Sequence, residues 1–213
     1  STKTSLHADI ETSDLVVSII DDVVVSASVP ATLSFAIGGV DSGTTVNGDV
    51  TTGTSTATTM DYGTLAPGAS STMAQELVVG TNAAGGFTVT VQQNHNLKTA
   101  NDADIDAFIN GAPDNDDHLW QSPAGTLDNE LTYGHFGLTS EDDSLLAGDE
   151  FAASSYKGFS GANPVEVMYH GGPSNGQDPH IGKTKVAYTV EINALQEAGD
   201  YTNTLTYICT PTY

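Results

Sequence analysis

Asp102, Asp104 and Asp106 alternate with small or apolar residues, and Asp114, Asp116 and Asp117 follow closely. Calcium takes six to eight oxygen ligands from carboxylates, carbonyls and water, so a loop with this spacing is a ligand source. The start resembles an EF-hand loop, but the glycine and the closing glutamate of that motif are missing. Asp102, Asp104, Asp106, Asp114 and Asp116 are therefore the calcium candidates, with helix capping or solvated acidic loops as the plainer role. Glu141, Asp142, Asp143, Asp149 and Glu150 form a second acidic set. The histidines are His7, His95, His118, His135, His170 and His180; none forms an HExxH pair, though His170 and His180 flank a loop that contains Asp178.

Other chemistry finds little support. The chain has no G-x-S-x-G elbow, no Walker loop and no G-x-G-x-x-G fingerprint. Cys209 lies within a strand pattern and has no local cationic neighbour to activate it. Nothing in the spacing selects two carboxylates for glycoside hydrolysis. The expectation is a protein without catalytic residues. Trp120, Phe108, Tyr133, Phe136, Phe151, Tyr156, Phe159 and Tyr169 serve either as packing or, beside acids and amides, as sugar-stacking surfaces.

Composition narrows the partners. The 213 residues carry 27 acids and 5 lysines, no arginine, and a formal net charge of −22. Counterion release on nucleic acid needs clustered basic residues, so nucleic-acid binding is excluded, and anionic membranes are disfavoured for the same reason. Cations, neutral surfaces and other copies of the chain remain. One cysteine permits no internal disulfide. Leu15–Val29 is interrupted by Asp21 and Asp22 and is too short to cross a membrane. Ser1 suggests a mature chain from which a signal peptide has been removed, hence a secreted, extracellular, cell-surface protein without membrane insertion.

The elements that would position these residues are strands. Leu6, Ala8 and Ile10 alternate with polar residues, and Val17, Ile19, Val23, Val25, Ala27 and Val29 continue a two-residue period. Asp21-Asp22 divides this run into an extended segment, residues 1–20, and a first strand region over Val23–Ile37. Residues 41–59 read as a solvent-facing hairpin or surface loop. Strands are expected at Glu76–Val79, Gly86–Gln92, Gly134–Thr139, Val165–Tyr169, Lys185–Ile192 and Tyr201–Cys209, and a helix at Asn101–Asn110. The fold class is all-β: a jelly-roll-like β-sandwich over residues 21–213, with a loop-rich, short-helix insertion at about 93–164 and an N-terminal donor strand.

Three segments carry a resemblance. Tyr62-Gly63-Thr64-Leu65-Ala66-Pro67-Gly68 leads into Glu76-Leu77-Val78-Val79, then Thr81-Asn82-Ala83-Ala84-Gly85-Gly86-Phe87-Thr88-Val89-Thr90-Val91. Ala198-Gly199-Asp200-Tyr201-Thr202-Asn203-Thr204-Leu205-Thr206-Tyr207 closes the set. This resembles secreted β-sandwich surface proteins of environmental prokaryotes and, more distantly, TasA/camelysin-type fibre subunits. The resemblance implies a jelly-roll subunit whose N-terminal strand inserts into the next subunit. The donor contacts would then be Leu6, Ala8, Ile10, Val17 and Ile19. It also implies a homopolymer, an extracellular filament or pilus-like fibre of a biofilm or cell surface. A monomeric adhesin or lectin-like module, with calcium as its one possible cofactor, is the alternative.

Overall fold

The structure is a computed structural model and describes residues 2, 17, 18, 21–146, 149–161 and 163–213. The chain divides into two compact units, Ser1–Pro30 and Ala31–Tyr213. In the first unit, residues 21–30 form no strand and are exposed, with Val23, Val24, Val25 and Val29 at 82–90 %. The expected strand over Val23–Ile37 thus begins only at Leu33. Alternation supplies an apolar face, but a strand also needs a hydrogen-bonded neighbour, and the partner of β1 runs only as far as Thr81, opposite Leu33.

In chain order the second unit contains β1 (Leu33–Gly39), β2 (Thr45–Val46), β3 (Asp49–Val50), β4 (Ser71–Thr81), β5 (Phe87–Gln93), β6 (Leu97–Lys98) and β7 (Asp104–Ala107). There follow β8 (His118–Leu119), a 3-10 turn (Glu130–Thr132), β9 (Gly134–Ser140), β10 (Ser155–Tyr156), β11 (Val165–His170), β12 (Ser174–Asn175), β13 (Lys183–Ile192) and β14 (Leu205–Pro211). No α-helix occurs among the described residues. The larger sheet has the order β1-β4-β13-β9-β7-β6, with β12 also on β4; the smaller has the order β11-β5-β14. All pairings are antiparallel except β7 with β9.

The two sheets share one core. Leu77 and Val79 of β4, Phe136 and Leu138 of β9, and Val186, Tyr188 and Val190 of β13 meet Phe87, Val89 and Val91 of β5 and Val167 and Met168 of β11. Alternation in β5 is as expected: its three apolar residues are fully buried while Thr88, Thr90 and Gln92 are only half-buried. Phe136 stacks between Phe159 and Tyr188, with centroid distances of 6.0 and 6.1 Å. This is an all-β sandwich.

The outer face of the larger sheet is covered too. Val40, Val46, Ala74 and Ala187 form a second apolar cluster there. Val46 belongs to the β2–β3 hairpin, so residues 41–59 do form a hairpin, but one that buries Val46, Thr51 and Ser55. Asn47 and Gly48 make its turn with φ of 45° and 93°, the left-handed pair that a two-residue hairpin needs. At Gly137 any side chain would meet Phe108 and Trp120, which lie over the sheet at that point.

The helix expected at Asn101–Asn110 is absent. Asp104–Ala107 is strand β7, paired with β6 on one side and β9 on the other. Asp102 and Asn110 bracket it at positive φ, a conformation no helix continues through. Ile105, Asp106, Ala107 and Phe108 are all buried, which a strand covered on both faces satisfies and a one-sided surface helix does not. Residues 93–164 thereby supply β6, β7 and β9 to the larger sheet.

Candidate functional site

One side of the sandwich is open. Among the described residues β14 pairs only with β5, and β1 pairs only with β4, so each sheet ends there in a free edge. The two edges are neighbours: the Phe35 and Tyr207 rings meet edge to face at 6.5 Å. The core-facing residues of these strands, Phe35, Ile37, Leu205, Tyr207 and Cys209, are only half-buried, whereas those of central β5 are fully buried. Ile208, on the outer side of β14, is 45 % exposed.

Ladder parity shows which backbone groups face outward. Thr212 exchanges hydrogen bonds with Gly86 and Gly85, and Thr204 accepts from the Asn94 N–H, all on the β5 side. In an antiparallel ladder the bonded side alternates by residue, and the β14–β5 register has no shift. Leu205, Tyr207 and Cys209 therefore direct their N–H and C=O groups at the free edge. Pro211 ends the strand and has no N–H to offer.

Behind this edge lies a buried tyrosine network. The Tyr188 and Tyr207 hydroxyls are 2.6 Å apart, Tyr207 donates to Gln75 Oε1 at 3.1 Å, and Tyr62 donates to the Tyr188 carbonyl at 3.0 Å. Burial pushes all three phenols well above their ordinary pKa, so they stay neutral donors. Burial also pushes the Cys209 thiol up to about 11, which makes it a packing residue rather than a nucleophile. No protein-family model matches the chain, and no curated protein matches it.

Of the expected donor contacts, Leu6, Ala8, Ile10 and Ile19 lie outside the described residues; Val17 is described and 73 % exposed. The calcium candidates have separate occupations. Asp102 is exposed and takes Lys98 Nζ at 2.8 Å, a hydrogen bond and charge that lower its pKa. Asp104 accepts from Asn96 at 2.9 Å. Asp114 sits against His118 Nε2 at 3.0 Å, which lowers its pKa, and its carboxylate also accepts the Asp116 N–H. Among the described residues no group of three or more histidine, cysteine, aspartate or glutamate side chains is arranged to hold a metal ion. In the second acidic set Glu141 pairs with Lys185, Asp143 with His180 and Asp149 with Lys157.

Asp106, also among the calcium candidates, is different, and its spacing gives no sign of the neighbours it has. Register places Asp106, His135 and Glu191 side by side on β7, β9 and β13, buried under Phe108 and Trp120. His135 Nδ1 faces the Gln121 carbonyl, its Nε2 accepts the Asn110 N–H, and burial lowers its pKa. Glu191 accepts the Trp120 indole N–H at 2.7 Å. Asp106 Oδ2 has no hydrogen-bond partner, and burial, with Asp104 and Glu130 nearby, pushes the carboxyl up to about 7. Trp120 also borders a cleft of about 140 Å³ with Asp49, Thr72, Tyr156 and Thr189. Its ring is stacked on Phe108 at 4.8 Å, so it works chiefly as part of the cover.

Proposed function

We propose that this chain is the structural subunit of an extracellular filament, polymerising head-to-tail by strand donation. The open side between β1 and β14 carries this reading: an apolar seam of Phe35, Ile37, Leu205, Tyr207 and Cys209 beside a row of outward-facing backbone groups. Residues 1–20 of a second copy are the proposed occupant. Their alternating Leu6, Ala8, Ile10, Val17 and Ile19 match a groove that needs one apolar face and one ladder. Twenty extended residues reach ~66 Å at ~3.3 Å each, enough to span a neighbouring sandwich. Burying four or five aliphatic side chains contributes on the order of 6–15 kcal/mol gross, before the ordering cost of the strand.

The contact joins different surfaces of successive copies, so it propagates as an open fibre rather than closing into a dimer. No helix among the described residues is long and apolar enough to cross a membrane. Negative-stain microscopy tests the proposal. The full chain forms fibres with a regular axial repeat, and a chain lacking residues 1–20 stays folded without them. Fibres from the shortened chain would rule out strand donation by this segment.

A further inference from the structure

Lys157 stands apart from the other described lysines. Lys98, Lys183 and Lys185 keep 28–39 % of their side chains exposed in their ion pairs, whereas the Lys157 side chain is 5 % exposed. Its backbone is fixed by two hydrogen bonds with Leu138 of β9. Its ammonium lies 4.8 Å from the centre of the Phe151 ring. Its acceptors are Asp149 Oδ1 at 2.7 Å and the Asp149 carbonyl at 3.3 Å, both from one residue. Glu166 of β11 lines the same cleft of about 100 Å³ as Lys157 and Asp149. The Glu166 Oε1 atom accepts the Leu146 N–H at 2.6 Å, which holds the carboxyl in place.

We infer that Lys157 and Asp149 are the two halves of an intramolecular isopeptide bond, formed by condensation beside Glu166 in the folded chain. The ammonium lies beneath the Phe151 ring and bonds the Asp149 carboxylate, whose side chain is 55 % exposed, so amine and carboxyl are held together without a bimolecular encounter. Glu166 takes a proton from the Lys157 ammonium, and the freed Nζ lone pair attacks Asp149 Cγ. Glu166 returns that proton to one oxygen of the tetrahedral adduct, and the nitrogen gives up a second proton to the same oxygen through Glu166. The Cγ–oxygen bond then breaks and releases one water. Ammonium and carboxylate become amide and water, with no oxidant, metal or activating group required. The amide also removes the charge of a lysine side chain that is only 5 % exposed. Burial, together with the charges of Asp149 and Asp142, raises the Glu166 pKa, which suits a proton carrier. The bond is independent of filament assembly, because all three residues lie in one subunit.

Mass spectrometry of the purified full chain, denatured after folding, tests this. The expected mass is lower than the sequence mass by one water. Trypsin cuts only after lysine in this arginine-free chain. The amide therefore protects the Lys157–Gly158 bond and leaves a fragment spanning residues 99–183. Lys157→Arg, Asp149→Ala and Glu166→Gln each restore the full mass, with near-ultraviolet circular dichroism reporting that the variants are folded. Full mass with cleavage after Lys157 in the wild type would overturn the inference. So would a deficit of ammonia instead of water, or a water deficit that persists in folded Lys157→Arg.

Discussion

Phe35 on β1 and Tyr207 on β14 touch edge to face at 6.5 Å, and theirs is the ring contact that spans the two free sheet edges. Each ring is half-buried although each points at the core. Phe35→Ala removes a wall of the seam and costs the isolated subunit about 1–2 kcal/mol, less than a fully buried phenylalanine would. The effect on polymer yield is larger than this loss explains, because the same ring would cover the guest strand. Urea denaturation and sedimentation of the polymer measure the two separately.

A chain beginning at residue 21 accepts a synthetic peptide of residues 1–20 and melts at a higher temperature with it. At a peptide concentration 100 times Kd the gain is about 2.7 kcal/mol. A peptide with Leu6, Ala8 and Ile10 changed to serine gives no shift. An equal shift from both peptides would show that apolar alternation is not what the seam reads.

Cys209 reports occupancy. Its thiol is held up at about 11 by burial, so alkylation of the monomer at pH 8 is slow, well below the rate of an exposed cysteine. In the polymer the rate falls further, by at least tenfold. Equal rates in monomer and polymer would place the joint away from β14.

The outer polar layer sets a pH dependence. The Asp106 pKa is raised in the fold to about 7, so its favourable contribution is complete below its unfolded value of about 3.8 and is lost as pH rises through 7. His135 is lowered, so the stability tied to its neutral form is present above its unfolded value of 6.5 and is lost as pH falls through the folded value. Asp106→Asn removes the first dependence alone. The variant gains on the wild type between pH 5 and pH 8, and thermal melts across that range read the change.

Charge gives a further expectation. With a formal net charge of −22 and each described lysine paired to an acid, copies of this chain repel at long range. Polymer yield rises with sodium chloride from 10 to 150 mM, as the Debye length shrinks from about 30 to about 8 Å. Light scattering follows it directly.

Strands β5, β9, β11, β13 and β14 were legible in the sequence because each alternates cleanly or carries a compact apolar run. The sequence marks only Glu76–Val79 of β4, which runs from Ser71 to Thr81. Its first half, with Thr72, Met73, Ala74 and Gln75 all buried, has no polar face to mark it as a strand. β7 has the sequence pattern of a helix for a related reason: Asp106 faces a covered polar layer rather than water. That layer was not legible, since Asp106, His135 and Glu191 are distant in sequence and only register joins them. The open side was not legible in the sequence, because its location depends on which strands end unpaired, a property of topology rather than composition.

Pro211 gives the free edge of β14 an orientation. A guest strand would find backbone partners at Leu205, Tyr207 and Cys209, then a ring that offers no donor. Sliding by one residue would turn the guest's apolar side chains toward water. Sliding by two toward the C-terminus would carry it onto the proline. Under the proposed strand donation the edge would act as a ruler with a stop at one end, and every joint along a chain of copies would have the same length.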